Sequence, residues 1–135
     1  MAKLQVDLVS PEREVWSGDA DMVIAKTASG EVGIMPNHAP LLSYLVEGGV
    51  VRVQDENRRE LVAAVHGGFI SMANNQVSIL AEAAELGEEV DVAEARDALE
   101  RARETIDRSE EAVVEERKQR ARLRAAGAEV QGLRQ

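Results

Sequence analysis

The chain contains no cysteine. That absence excludes disulfides, thiol catalysis and metal sites built on thiolates. Aromatic residues are almost as scarce, with only Trp16, Tyr44 and Phe69. A core must therefore be assembled from Val, Leu, Ile and Ala, and the apolar fraction of 44% is sufficient for one. No apolar run approaches the ~18 residues that suggest a membrane span. The opening MAKLQVDLVS is too short and polar for a secretory signal, and it lacks the Arg and Ser richness of a transit peptide. The length of 135 residues fits one core domain with at most a small appendage.

Positive charge is also in deficit, with a formal net charge of −9. Residues 1 to 90 carry 14 acidic and 6 basic side chains, whereas residues 91 to 135 carry 11 and 10. The acidic body would repel a phosphate backbone, which argues against nucleic acid as a partner. The second part is highly charged but balanced, as in an exposed helical segment.

Hydrophobic periodicity divides the chain at the same place. KLQVDLVS alternates Leu4, Val6 and Leu8, and DMVIAKT, PLLSYLVEGG, VVRVQ, LVAAV, GGFISM and VSILAEA also read as strands. Turn signals recur every 8 to 12 residues or so, the rhythm of a sandwich or barrel. The connections are too short for crossovers, so antiparallel pairing is expected. From Asp91 to Ala126 there is neither Gly nor Pro, and Ala, Glu, Arg and Leu dominate. DVAE, Asp91 to Glu94, has the form of a capping box, and DRSE, Asp107 to Glu110, repeats it. Two helices over about 92–106 and 109–126 are expected as a hairpin, with one continuous helix as the alternative. The divisions expected are a β-sandwich over 1–86, a linker over 87–90, and a hairpin over 91–135 with a frayed C-terminal tail.

The hairpin has a weak apolar seam. Ala95, Leu99, Ala102 and Ile106 line the first helix. Val114, Ala121 and Ala125 line the second, with Leu123 off that line. Alanine contributes little area at ~25 cal/mol per Å², so loose docking is expected. Five cations, Arg117, Lys118, Arg120, Arg122 and Arg124, fall within eight residues. They suit the C-terminal end of a helix dipole, and they could equally meet an acidic surface or a phosphate.

Catalytic motifs are missing. His38 and His66 fall in different expected loops, and neither has a spaced His or Cys partner. Phosphate-loop, dinucleotide and helical zinc patterns are absent, and no serine has the context of a nucleophile elbow. His38 reads as a loop histidine bonded to a backbone carbonyl. His66, before Gly67 and Gly68, reads as a strand-end residue at a bulge.

Three stretches carry a resemblance. TASGEVGIMPNHAPLLSYLVEGGVV (Thr27 to Val51), VHGGFISMANNQVSILAEAAE (Val65 to Glu85) and EVDVAEARDALERA (Glu89 to Ala102) together resemble the epsilon subunits of bacterial F-type ATP synthases. After about Glu104 the likeness is compositional only. The resemblance implies an N-terminal flattened antiparallel β-sandwich followed by a C-terminal α-helical hairpin. It implies a non-catalytic central-stalk subunit that couples the gamma subunit to the c-ring. It would place Ser29, Gly30 and Glu31 toward the c-ring, and Ser10, His38 and Ser43 toward gamma. The hairpin would be regulatory: when extended it would bring Arg117 to Arg124 to the catalytic beta and alpha subunits and inhibit ATP hydrolysis. The expected location is the cytoplasmic face of the bacterial cell membrane, peripheral, with membrane contact only through the c-ring. The reading set against this is a freestanding ligand-binding β-sandwich.

Some members of that family bind ATP through an Ile/Leu-Asp-x-x-Arg-Ala motif. The matching segment here keeps Asp91 and Ala95 but has Glu94 at the Arg position. A carboxylate repels phosphate, and Arg96 lies about 200° further around a helix. No cofactor or metal is expected, and regulatory ATP binding is doubtful.

Overall fold

A computed structural model of the chain describes residues 2–55, 57, 59–104 and 109–127. Eight strands come first: β1 (Leu4–Val9), β2 (Glu14–Ala20), β3 (Met22–Thr27), β4 (Gly30–Ile34), β5 (Leu41–Tyr44), β6 (Gly49–Gln54), β7 (Glu60–Ala73) and β8 (Gln76–Leu86). A 3₁₀ turn over Gly87–Glu89 leads to α1 (Val92–Glu104) and α2 (Glu110–Ala125).

The strands hydrogen-bond in the order β2-β1-β8-β7-β6-β3-β4, with β5 paired to β7. This sheet folds over as a β-sandwich around one aliphatic core. Alternation in β1 sends Leu4, Val6 and Leu8 inward, where each is fully buried, against Val23, Ile34, Ile70 and Ile79. No aromatic residue is fully buried among the described residues; Trp16 packs on the core margin.

Two expectations are corrected. β1 and β8 pair in parallel, from Gln5↔Gln76 to Val9↔Leu80. Short connections forbid parallel pairing only between consecutive strands, and these two are separated by nearly the whole sandwich. LVAAV and GGFISM are one strand, β7, and EVWSGDA, which shows no clean alternation of residue type, is a strand as well. β7 bends at Gly67 (φ 70°) and Gly68 (φ 110°). Before the bend Ala63 and Val65 point inward; after it Ile70 and Met72 do. The odd–even pattern therefore flips at the glycines, which is why the sequence reads as two strands.

Asp91 caps α1 as expected, accepting a hydrogen bond from the Glu94 N–H at 3.0 Å. The cap of α2 is Ser109, whose hydroxyl accepts from the Ala112 N–H. The helices pack against each other as a hairpin, excluding one continuous helix. Ile106, Asp107 and the tail beyond Gly127 lie outside the described residues. No described helix is long and apolar enough to cross a membrane.

Leu123 is not off the seam. It is 1% exposed and packs against Ala95 and Leu99 of α1. Ala121 and Ala125 face the other way, onto Ala64, Val50 and Val62 of the sandwich. Thus α2 lies between α1 and the sheet, with a separate apolar line for each. Val114 is only half-buried.

Candidate interaction surfaces

The β3–β4 turn places Ser29, Gly30 and Glu31 at an exposed tip. The Thr27 hydroxyl braces it, donating to the Gly30 carbonyl at 2.8 Å and accepting from the Ser29 N–H at 3.2 Å. These three residues share a shallow cavity with Leu41, Leu42 and Ser43. The structure therefore brings Ser43 together with Ser29–Glu31. Ser10, which follows β1, lies apart from that cavity, its hydroxyl donating to the Arg13 carbonyl at 3.3 Å.

His38 sits in the loop between β4 and β5. Its Nδ1 is 2.6 Å from the Ala39 carbonyl oxygen, as expected for a loop histidine. Asn37 pins this loop: its N–H donates to Asn75 Oδ1 at 2.6 Å, across to the β7–β8 turn. Pro36 and Pro40 fix φ on either side, so the loop is held at both ends and tied in the middle. Among the described residues no group of three or more His, Asp or Glu could hold a metal.

An apolar row runs across the outward surface beyond the β7 bend. Leu42 and Tyr44 from β5, Phe69 from β7 and Leu80 from β8 are 73%, 65%, 44% and 54% exposed. Register sets Tyr44 beside Phe69 and Phe69 beside Leu80. The Tyr44 and Phe69 rings meet at a tilt of 42° with centroids 4.9 Å apart. An exposed apolar row of this kind is a candidate surface for a protein contact. Sequence reading missed it, because alternation alone does not say which face of a strand is covered.

Before the bend, the outward residues of β7 lie under α2. His66 is there, in the strand and 9% exposed, rather than in a loop. Burial drives its pKa down to about 4, with Lys118 and Arg122 adding to the effect and Glu47 and Glu115 opposing it. Its Nδ1 has no hydrogen-bond partner among the described residues.

The cationic run is not a free basic surface. Arg120 reaches Glu116 at 3.3 Å. Burial lowers the pKa of Arg124, with a contribution from Arg120. Arg122 is held on three sides: Nε and Nη2 contact Glu85 of β8 at 2.7 and 3.4 Å, Nη2 contacts Glu94 of α1 at 2.7 Å, and Nη1 donates to Gln119 Oε1 at 2.8 Å. The Glu94 and Glu85 carboxylates raise the Arg122 pKa, and Arg122 lowers that of Glu94. Arg117 is exposed although its backbone passes close to Gly48 of the sandwich, and Lys118 is half-buried. Asp91, Glu94 and Ala95 occupy the first turn of α1: Asp91 caps it, Glu94 pairs with Arg122, and Ala95 is fully buried.

Residues 3–87 match the family model described as ATP synthase, Delta/Epsilon chain, beta-sandwich domain. The ATP synthase epsilon chain of Thermobifida fusca is 53% identical over 129 residues, covering 94% of each chain. That of Streptomyces avermitilis is 48% identical over 127 residues, covering 94% of this chain and 98% of the relative. A chain in the Euglena gracilis mitochondrial ATP synthase (OSCP/F1/c-ring, rotational state 1) superposes with a TM-score of 0.75 at 20% identity, covering 94% of this chain and 81% of that one. A chain of the Tetrahymena thermophila mitochondrial ATP synthase central stalk and c-ring gives a TM-score of 0.56 at 18% identity, covering 95% and 98%. With its sandwich matched by the family model and nearly its whole length matched by these bacterial relatives, the chain belongs to the ATP synthase epsilon chain family.

Proposed function

We propose that this epsilon chain is a non-catalytic rotor part of the central stalk, and that its sandwich joins the gamma subunit to the c-ring. The observation that carries the reading is the bare row Leu42, Tyr44, Phe69 and Leu80. Large apolar and aromatic side chains held on a sheet make anchors for a protein partner, and gamma is the partner assigned. Ser10, His38 and Ser43 are proposed to meet gamma at the margins of that contact. The exposed tip at Ser29, Gly30 and Glu31 is assigned to the c-ring, in keeping with the c-ring named in both mitochondrial assemblies. The braced turn and the pinned His38 loop support the assignment, since a stiff contact loses little motion when torque passes through it.

The hairpin is proposed to be regulatory. Docked, it hides most of the basic run; extended, Arg117, Lys118, Arg120, Arg122 and Arg124 would reach the beta and alpha subunits and slow hydrolysis. Nucleotide is not assigned a part in docking, because Glu94 already pairs with Arg122 where a phosphate would need a cation. The assigned place is the cytoplasmic face of the bacterial membrane, peripheral, through the c-ring.

Purified gamma with the full chain tests the interface. Tyr44→Asp combined with Leu80→Asp is expected to weaken binding at least tenfold while leaving the fold intact. Unchanged binding would overturn the assignment of this row.

A further inference from the structure

Arg122 is the one described residue that links the sandwich, α1 and α2 through ionic contacts: its guanidinium is shared between Glu85 on β8 and Glu94 on α1, while Gln119 on its own helix takes Nη1. Its side chain is 14% exposed, against 30% for Glu85 and 52% for Glu94. Gln119 is itself oriented by Glu115, donating from Nε2 at 2.7 Å. The guanidinium is thus surrounded by four acceptor oxygens from three elements. Its planar fork suits this better than an ammonium would.

The apolar seat of α2 is small, made of Ala121 and Ala125 on Ala64, Val50 and Val62. Leu123 binds α2 to α1, not to the sandwich. Apolar burial therefore holds the hairpin together more firmly than it holds the hairpin down. Specific polar contacts between α2 and the sandwich carry correspondingly more of the docking.

We propose that Arg122 is an internal latch that keeps the hairpin docked by pairing across the contact with Glu85 of the sandwich, its guanidinium aimed there by Glu94 and Gln119 of the hairpin, so that release of the hairpin and presentation of this cation to a partner are one event. The latch rests on the reading of the hairpin as a movable element. It needs no bound ligand, because the protein supplies both the cation and its counter-charges. Arg122 cannot serve the docked state and an acidic partner together, which makes the two states exclusive. The contacts are ionic and partly exposed, so salt loosens the latch.

The absence of cysteine allows two unique labels, at Asp19→Cys on the sandwich and Glu111→Cys on α2, both exposed positions. Label-to-label distances in the isolated full chain then give the docked and released fractions. Arg122→Gln is expected to raise the released-to-docked ratio about fivefold, the scale of a partly buried ionic contact. Glu85→Gln, which removes the partner on the sandwich, is expected to raise it by a similar factor alone, but by less than about 1.5-fold in the Arg122→Gln background. Should Arg122→Gln disturb the helices themselves, Glu85→Gln and the salt dependence still decide the matter. An unchanged distribution in both variants, or equal Glu85→Gln effects in both backgrounds, would overturn the latch. These readings use no partner, so a failed latch leaves the gamma assignment standing, and a failed gamma assignment leaves the latch standing.

Discussion

Gly87 lies directly against Ala125: a Cβ built on Gly87 would stand 1.9 Å from the Ala125 carbonyl oxygen. Midway along α2, a Cβ on Gly48 would stand 2.7 Å from the Arg117 backbone. Two glycines thus let a helix with a thin apolar seat come close enough to the sandwich to use it.

Gly87→Ala should therefore release the hairpin without unfolding the sandwich. The obstacle is backbone, which cannot swing aside as a side-chain tip can, and overpacking of this kind costs about 1–3 kcal/mol. Amide exchange is the check. Protection should fall along α2 and at the outward-facing residues beneath it, and stay unchanged at Val6 and Ile79 in the core.

Acid should also release the hairpin. His66 is neutral beneath α2, with a pKa near 4, and returns toward the usual 6.5 once uncovered. The released state binds the proton more readily. The contribution of His66 to docking is therefore complete above about pH 6.5 and is lost as pH falls toward 4, on the order of 3 kcal/mol across that window. His66→Gln should flatten the dependence of docking on pH between 6.5 and 5, measured as the docked fraction. A wild-type docked fraction that rises on acidification would contradict this placement of His66.

Adjacent residues on β8 should behave oppositely. Ile79 is fully buried and Leu80 is 54% exposed. Ile79→Ala should cost about 2–5 kcal/mol of stability. Leu80→Ser should cost under about 1 kcal/mol and act instead on gamma binding. Chemical denaturation of both variants, set beside a gamma-binding assay, separates the two roles.

The change of period near Glu85, the cap at Asp91 and the lack of Gly or Pro after it made the two-part architecture legible, because each is a local signal. The flip of β7 at Gly67–Gly68 hid one long strand behind two apparent ones. It also misplaced His66, since neither half shows that they join. Parallel pairing of β1 with β8 has no local mark. The cap at Ser109 was not singled out, because several residues in a short polar stretch can cap a helix and the sequence does not rank them. The run Arg117 to Arg124 was visible as charge, but its character depends on Glu85 and Glu94, and Glu85 lies 37 residues from Arg122. The two apolar lines of α2, Leu123 toward α1 and Ala121 with Ala125 toward the sheet, became distinct only once both neighbours were in place.

The most direct test of the account uses membrane vesicles bearing an F-type ATP synthase from which this subunit has been removed. ATP-driven proton pumping is measured after adding back the full chain or its Tyr44→Asp, Leu80→Asp variant. The account predicts that the full chain restores pumping and that the folded variant does not. Pumping that proceeds equally well without the chain, or with the variant, would contradict the claim that this sandwich joins the rotor.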